Sequence, residues 1–205
     1  MPNEQVVHVV DDDLAVRQSL SFLLASDGLP VRLHESASAF LEAVQDGATG
    51  CIVTDVRMPG IDGIAFLRHL KARGFGLPVI VMTGHADVPM AVEAMKEGAV
   101  DFIEKPFDDD MFLAAVRSAL RLQEQHAQRD AQVSEVQARL QGLSERERQV
   151  LEGLVAGKAN KVIAYDLGIS PRTVEIYRAN VMTKMQAGSL SELVRMALVG
   201  VLPTG

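Results

Sequence analysis

An alternation in residues 1–122 constrains this chain more than any other feature. Five short apolar runs recur there: Val6–Val10, Val31–Leu33, Cys51–Thr54, Val79–Met82 and Asp101–Ile103. Helix-period stretches separate and follow them, marked by Leu20, Leu23 and Leu24; by Phe40, Leu41 and Val44; by Phe66, Leu67 and Leu70; by Ala91, Val92 and Met95; and by Phe112, Leu113, Val116 and Leu120. Short strands alternating with amphipathic helices demand right-handed crossovers and a parallel sheet covered on both faces.

In such a sheet, chemistry gathers at the carboxyl ends of the strands. Polar groups stand at four of these ends: Asp11-Asp12-Asp13 after the first, Asp55 after the third, Thr83 after the fourth and Lys105 after the fifth. Any one has a bland reading. An acidic triplet is usually a solvated helix cap, and a lysine is usually at the surface. Their joint placement points to a phosphoryl site. An aspartate can accept phosphate as a covalent acyl phosphate. Asp55 is the candidate nucleophile. Asp11 and Asp12 beside it suit Mg²⁺, which takes few carboxylates and keeps waters. Lys105 adds positive charge, and Thr83 can hydrogen-bond a phosphoryl oxygen. Asp13 serves equally well as a helix cap. Lys105-Pro106 is a candidate cis peptide.

Charge is unevenly spread. The chain carries −7 in all. Residues 1–122 hold 18 acids against 10 bases, residues 123–139 three against two, and residues 140–205 six against eight. A weakly basic end on an acidic body permits DNA contact there. One cysteine excludes an intramolecular disulfide and fits a reducing compartment. Met1-Pro2-Asn3-Glu4-Gln5 lacks the basic start of a signal peptide. No apolar run approaches the ~18 residues of a membrane helix. The expectation is a cytoplasmic protein without membrane contact.

Three domains are expected: 1–122, a helical linker at 123–139, and 140–205. No Gly or Pro lies between Pro106 and Gly142. The fifth helix therefore either runs on for roughly 50 Å or gives way to a solvated, partly helical linker. Beyond it, four helices carry explicit start signals. Ser144-Glu145-Arg146-Glu147 and Ser189-Leu190-Ser191-Glu192 match capping boxes. Asn160 is the expected cap of a second helix, and Ser170 with Pro171 opens a third. Gly168 between these two makes a helix-turn-helix. On the third helix, Val174, Tyr177, Val181 and Met185 share an inward face; Tyr177 reads as core before DNA contact. Arg172, Thr173, Glu175, Ile176 and Arg178 share the outward face. Arg178 suits guanine, Glu175 cytosine N4, and Ile176 a thymine methyl. Lys161, Ser170, Arg172 and Lys184 suit phosphates.

Asp11-Asp12-Asp13, Thr54-Asp55-Val56-Arg57-Met58-Pro59-Gly60, Thr83-Gly84-His85 and Glu104-Lys105-Pro106-Phe107 together resemble the receiver domain of bacterial response regulators, over residues 4–122. The resemblance implies an α/β fold whose five-stranded parallel sheet is flavodoxin-like, in the order 2-1-3-4-5, and phosphotransfer from a histidine kinase to Asp55. It implies Mg²⁺ on Asp11, Asp12, Asp55 and the main-chain carbonyl of Arg57. It makes Thr83 and Phe102 a coupled switch pair and Lys105 the phosphoryl sensor. Many receivers have Tyr at the Phe102 position; Phe has no hydroxyl, so a switch here works by ring burial alone.

Leu143–Leu151, Asn160–Ala164 and Ser170–Val174 resemble the DNA-binding domain of the LuxR/NarL group, over residues 140–202. Val88–Lys96, Asp101–Phe107 and Arg178–Met182 look especially like the nitrogen-fixation regulators of this group. That resemblance implies a haem-based oxygen-sensing kinase as donor, promoter DNA and RNA polymerase as partners, and a homodimer once phosphorylated. The expected function is a phosphorylation-activated transcriptional activator of nitrogen-fixation or microaerobic genes, the alternative being the same architecture in control of a different catabolic or respiratory regulon. Phosphate would reshape the surface from Ala86 to Phe107, and Val92, Met95 and Lys96 would pair two receivers.

Three rivals deserve weighing. A Mg²⁺-dependent phosphatase with an Asp nucleophile wants a second Asp two residues on, where Arg57 stands. A small-ligand sensor wants an apolar pocket in the first half. An interaction-only receiver with a degenerate DNA end conflicts with the intact caps. Catalysis is expected only as self-catalysed phosphotransfer and slow autodephosphorylation.

Overall fold

The computed structural model describes residues 5–44, 47–84 and 88–201. The chain divides into two compact units, residues 1–126 and 127–205. In the first, β1 (Val6–Val10), α1 (Leu14–Ser26), β2 (Val31–His34), α2 (Ala37–Ala43), β3 (Gly50–Asp55), α3 (Gly63–Ala72), β4 (Val79–Thr83), α4 (Val88–Glu97) and β5 (Asp101–Glu104) alternate throughout. The strands form one parallel sheet in the order β2-β1-β3-β4-β5.

Successive side chains on a strand face opposite ways, so each run feeds two cores. Val10, Ile52 and Val81 meet Phe40, Phe66, Leu67 and Leu70 on one face. Val7, Val9, Cys51, Val53 and Ile80 meet Leu20, Leu24, Phe112 and Val116 on the other. Burying each such side chain is worth about 1.5–3 kcal/mol. Cys51 is fully buried, and burial pushes its thiol up to about 12; it is inert packing.

The α4 stripe is rotated from its expected position. Ala94 is fully buried and Met90 packs on the same core. Val92 and Met95 face solvent, 45% and 49% exposed. Met90 and Ala94, four residues apart, form the inward ridge, which leaves the larger pair outside. The N-terminal reading on residues 1–4 lies outside the described residues, as do His85 and Ala86.

α5 (Asp109–Gln141) is one continuous helix of 33 residues, and the division between units falls within it. Three to four turns of its start fill the receiver core through Phe112, Val116 and Ala119. Its end contributes Val136 to the second core. That core joins α6 (Glu145–Val155), α7 (Asn160–Leu167), α8 (Pro171–Met185) and α9 (Leu190–Val201) through Val150, Leu154, Ile163, Val174, Val181 and Leu193.

Most helix starts follow their signals. Asp13 caps α1, accepting from the Ala15 N–H at 2.8 Å. Ser144 and Glu147 make a full capping box on α6. Ser170 caps α8 with Pro171 in the first turn. At α9, Ser189 Oγ accepts the Glu192 N–H, but the Glu192 carboxylate reaches the Gly188 N–H instead of Ser189. Asn160 is not the cap of α7. Ala159 holds that position without a side-chain bond, and Asn160 is the first helical residue. The preceding turn decides this. Gly157 donates to Leu154 O and Lys158 to Gly153 O, a Schellman closure, so the next helix begins at once. Among the described residues, no helix is long and apolar enough to cross a membrane.

Candidate functional site

Strand register gathers the first site. Val10 pairs with Thr54, Asp55 with Met82, and Thr83 with Glu104. Asp11, Asp55, Thr83 and Lys105 therefore emerge along one sheet edge. Asp11 is 2% exposed, Asp55 is 8%, and Thr83 is fully buried. Lys105 Nζ donates to Asp55 Oδ1 at 2.7 Å and to Asp11 Oδ2 at 3.0 Å. Asp55 Oδ2 accepts the Arg57 N–H at 2.7 Å. Asp11 Oδ1 accepts the Asp13 N–H at 2.9 Å, and Arg17 donates to the Asp11 carbonyl at 2.6 Å. The Lys105 N–H donates to the Thr83 carbonyl at 2.7 Å, and Lys105-Pro106 is cis.

The electrostatics are those of a crowded charged pocket. Burial raises the Asp11 pKa, against the pull of the Asp13 N–H and the Lys105 ammonium. Burial also opposes charge on Lys105. Its hydrogen bonds to Asp55 and Asp11, with their charges, outweigh that and raise its pKa. The loop below is tightly built. A Cβ on Gly63 would lie 2.4 Å from Asp55 O and 2.9 Å from Val56 Cα. Glycine is required there so that α3 can pass under the Asp55 backbone.

The donor set fits a small hard cation. Two buried carboxylates, Asp11 and Asp55, converge closely enough to share one ammonium, so their paired negative charge suits a cation as well. Asp12 stands next in sequence, exposed. Among the described residues, no three His, Cys, Asp or Glu side chains form a metal cage by themselves. Mg²⁺ needs none, since it retains several waters. Phe102 is half-buried against the α3/α4-side core. Val92, Met95 and Lys96 are all exposed on α4.

The second unit presents a helix-turn-helix, α7 and α8, with Gly168 left-handed at the turn (φ 64). On α8, Val174, Val181 and Met185 are buried and Tyr177 packs half-buried against them. Arg172, Glu175 and Ile176 are exposed, Thr173 and Arg178 half-buried. Ser170 Oγ accepts the Thr173 N–H at 3.1 Å and lies 2.8 Å from Thr173 Oγ1. Lys161 is exposed on α7. Lys184 does not stand free on the outward face. Its Nζ donates to Glu147 at 2.7 Å and to Gly142 O at 3.3 Å. Lys184 and the Ser144 N–H hold the buried Glu147 carboxyl below the usual carboxylate range.

Sequence reasoning missed several of these partners. Glu147 was visible only as a cap, and nothing local pairs it with Lys184. His8 and His34 were also missed: both are buried, with ring nitrogens 3.1 Å apart, and both pack edge-on against Phe40. A histidine inside the apolar run of β1 was the one available signal.

Comparison with known proteins identifies the family of both units. Residues 7–117 match the response regulator receiver domain, and residues 141–197 match the bacterial regulatory proteins of the luxR family. The chain is 67% identical over 205 residues to the transcriptional regulatory protein FixJ of Azorhizobium caulinodans, covering 99% of this chain and 97% of that protein. It is 56% identical over 198 residues to FixJ of Rhizobium meliloti, covering 96% and 97%. The crystal structure of full-length FixJ from B. japonicum, 56% identical, matches with a TM-score of 0.60, covering 97% of this chain and 98% of that one. These whole-length kinships do not fit an enzyme; they are those of a phosphorylation-activated transcription regulator. The chain belongs to the response-regulator family, in the branch that joins a receiver to a LuxR-type DNA-binding domain.

Proposed function

We propose that Asp55 accepts a phosphoryl group from a histidine kinase and that this controls DNA binding by the second unit. The convergence of Lys105 on both Asp11 and Asp55 carries this reading. An Asp55 carboxylate oxygen attacks phosphorus, the P–O bond forms, and the donor P–N bond breaks. The donor nitrogen leaves as imidazole, taking up its proton from solvent. Asp11, Asp12, Asp55 and the Arg57 main-chain carbonyl are the ligands proposed for Mg²⁺, the ion receiver domains generally use. When bound, the ion offsets the repulsion between phosphoryl dianion and carboxylates. Lys105 then exchanges a carboxylate for a phosphoryl oxygen, and Thr83 donates its hydroxyl to another. Phe102 follows Thr83 inward, its ring burial being the only switch a phenyl group offers.

The activated receiver pairs with a second copy through α4, using Val92, Met95 and Lys96. Pairing brings two helix-turn-helix units to half-sites about one helical turn apart, and linkage raises their effective concentration. The reading set is Lys161, Ser170, Arg172, Thr173, Glu175, Ile176 and Arg178, with α8 entering the major groove N-terminus first. Lys184, committed to Glu147, leaves the set. The protein is cytoplasmic and acts as an activator with RNA polymerase. The FixJ kinship supports nitrogen-fixation or microaerobic genes as targets and an oxygen-sensing kinase as donor.

Selection of genomic fragments by the purified protein, with Mg²⁺ and beryllofluoride present or omitted, tests this. A two-fold-related site enriched only with beryllofluoride is the expected outcome. Asp55→Asn should abolish the dependence. If that variant dimerised in phosphodonor as the native chain does, the switch assignment would be wrong.

A further inference from the structure

The last turn of α8 is held by polar bonds from outside the helix-turn-helix. Arg139, near the end of α5, donates Nη1 to the Met185 carbonyl at 3.0 Å. Its side chain is 18% exposed, and Nη2 pairs with Glu135 at 2.6 Å. Met185 is the final residue of α8, so its carbonyl has no partner within the helix. A guanidinium at this point both satisfies the orphan oxygen and complements the negative end of the helix dipole. One residue earlier, Lys184 reaches Gly142 O and Glu147.

These bonds differ in kind from the core contacts of α8. Val174 and Val181 hold the helix by burial, which is non-directional. Close packing supplies most of the resistance to movement. A charged hydrogen bond adds a directional restraint at one end of the helix. α8 is about 22 Å long at 1.5 Å per residue. Arg178, Ile176 and Glu175 stand about 10–15 Å from its held end, so a 10° tilt there moves them by about 2–3 Å, more than a hydrogen bond to a base edge tolerates.

We infer that Arg139 is a positioning residue for DNA recognition: by capping the C-terminus of α8 it sets the register of Arg178, Glu175 and Ile176 in the groove. The inference rests on the proposed DNA-reading role of α8. It also extends the functional DNA-binding module upstream of residue 140 into the last turns of α5.

The test uses the full-length protein with Mg²⁺ and beryllofluoride. Affinity is measured across a salt series for the fragment selected by the native chain and for a scrambled duplex of equal length. Arg139→Ala should weaken binding to the selected fragment about ten-fold, one charged hydrogen bond's worth. Binding to the scrambled duplex, the salt slope and beryllofluoride-driven dimerisation should stay at native values. Arg139→Lys, which keeps a cation able to donate to Met185 O, should recover part of the loss. Glu135→Ala, which leaves the Met185 bond in place, should behave as native.

Four results would overturn the inference. A lower melting temperature for Arg139→Ala with an unchanged ratio between the two duplexes makes the residue merely structural. Equal weakening on both duplexes with a salt slope shallower by about one makes it a phosphate contact. A native chain that does not discriminate the duplexes removes the DNA-reading role itself, and the inference with it. Discrimination by the native chain and equally by Arg139→Ala removes the inference alone.

Discussion

Acidification from pH 7 to pH 5 should weaken the receiver through a histidine pair that takes no part in the phosphoryl chemistry itself. His8 on β1 and His34 on β2 are 2% and 7% exposed and share a hydrogen bond. Burial, then the neighbouring His34 and Arg32, lowers the His8 pKa from 6.5 to about 4. Burial, then Arg32, lowers that of His34 as well. The folded state thus prefers neutral rings. Between the two His8 values the unfolded chain binds more protons, so stability rises with pH through this window and is lost as pH falls. Above 6.5 the contribution is complete. At pH 5 an unfolded histidine is almost fully charged and folded His8 almost neutral, a loss of about 2 kcal/mol from this ring alone. His34 adds in the same direction.

Urea unfolding at both pH values measures this. Both tyrosines, Tyr165 and Tyr177, lie in the second unit. A transition seen by far-UV circular dichroism but not by tyrosine fluorescence therefore belongs to the receiver. His8→Gln keeps a group able to bond His34 but removes one titration. Its loss between pH 7 and pH 5 should be smaller than that of the native chain by about 2 kcal/mol. Equal losses would refute the reasoning. The effect should reach function, because the His34 carbonyl accepts the Asp11 N–H at 3.2 Å.

Other perturbations have equally definite outcomes. Gly63→Ala forces a methyl against the Asp55 carbonyl; it should cost about 1–3 kcal/mol and slow phosphorylation by acetyl phosphate, and a native rate and midpoint would contradict the close approach. Lys184→Met leaves the buried Glu147 carboxylate with the Ser144 N–H but without its countercharge and should destabilise the second unit by about 1–3 kcal/mol, read by tyrosine fluorescence. Because Lys184 holds the Glu147 pKa down, that deficit should be full above the ordinary carboxylate range and fade as pH falls below it; adding Glu147→Gln should restore part of the loss. Arg178→Ala should cost about 1–3 kcal/mol at the selected DNA site and relax preference at one base pair; uniform weakening across sequences would reassign it to a phosphate.

Much of this protein was legible in its sequence because the deciding physics is local. A strand buried on both faces must be a short apolar run, and whatever polar group ends it must lie at the sheet edge. Asp11, Asp55, Thr83 and Lys105 could therefore be placed together from four separate stretches. Caps such as Ser144 and Ser170 bond amides two or three residues away, so their signals survive without tertiary context. Where a neighbouring turn intervened, as at Asn160, even a cap shifted by one residue.

The tertiary structure alone decided which elements meet. The α4 pattern offered several apolar residues, and only packing against the sheet selected Met90 and Ala94 as inward and left Val92 and Met95 outside. Lys184 reads as one more basic residue near a DNA-binding helix until Glu147, 37 residues away, takes its charge. Arg139 shows no sequence signal for its bond to Met185, 46 residues on. His8 and His34 become a pair only because the parallel register of β1 and β2, which sets His8 opposite Arg32 and His34 opposite Val10, leaves them diagonal neighbours on one face of the sheet. Backbone hydrogen bonding and hydrophobic periodicity are written within a few residues, whereas a partner for a charge or a ring is chosen by the fold.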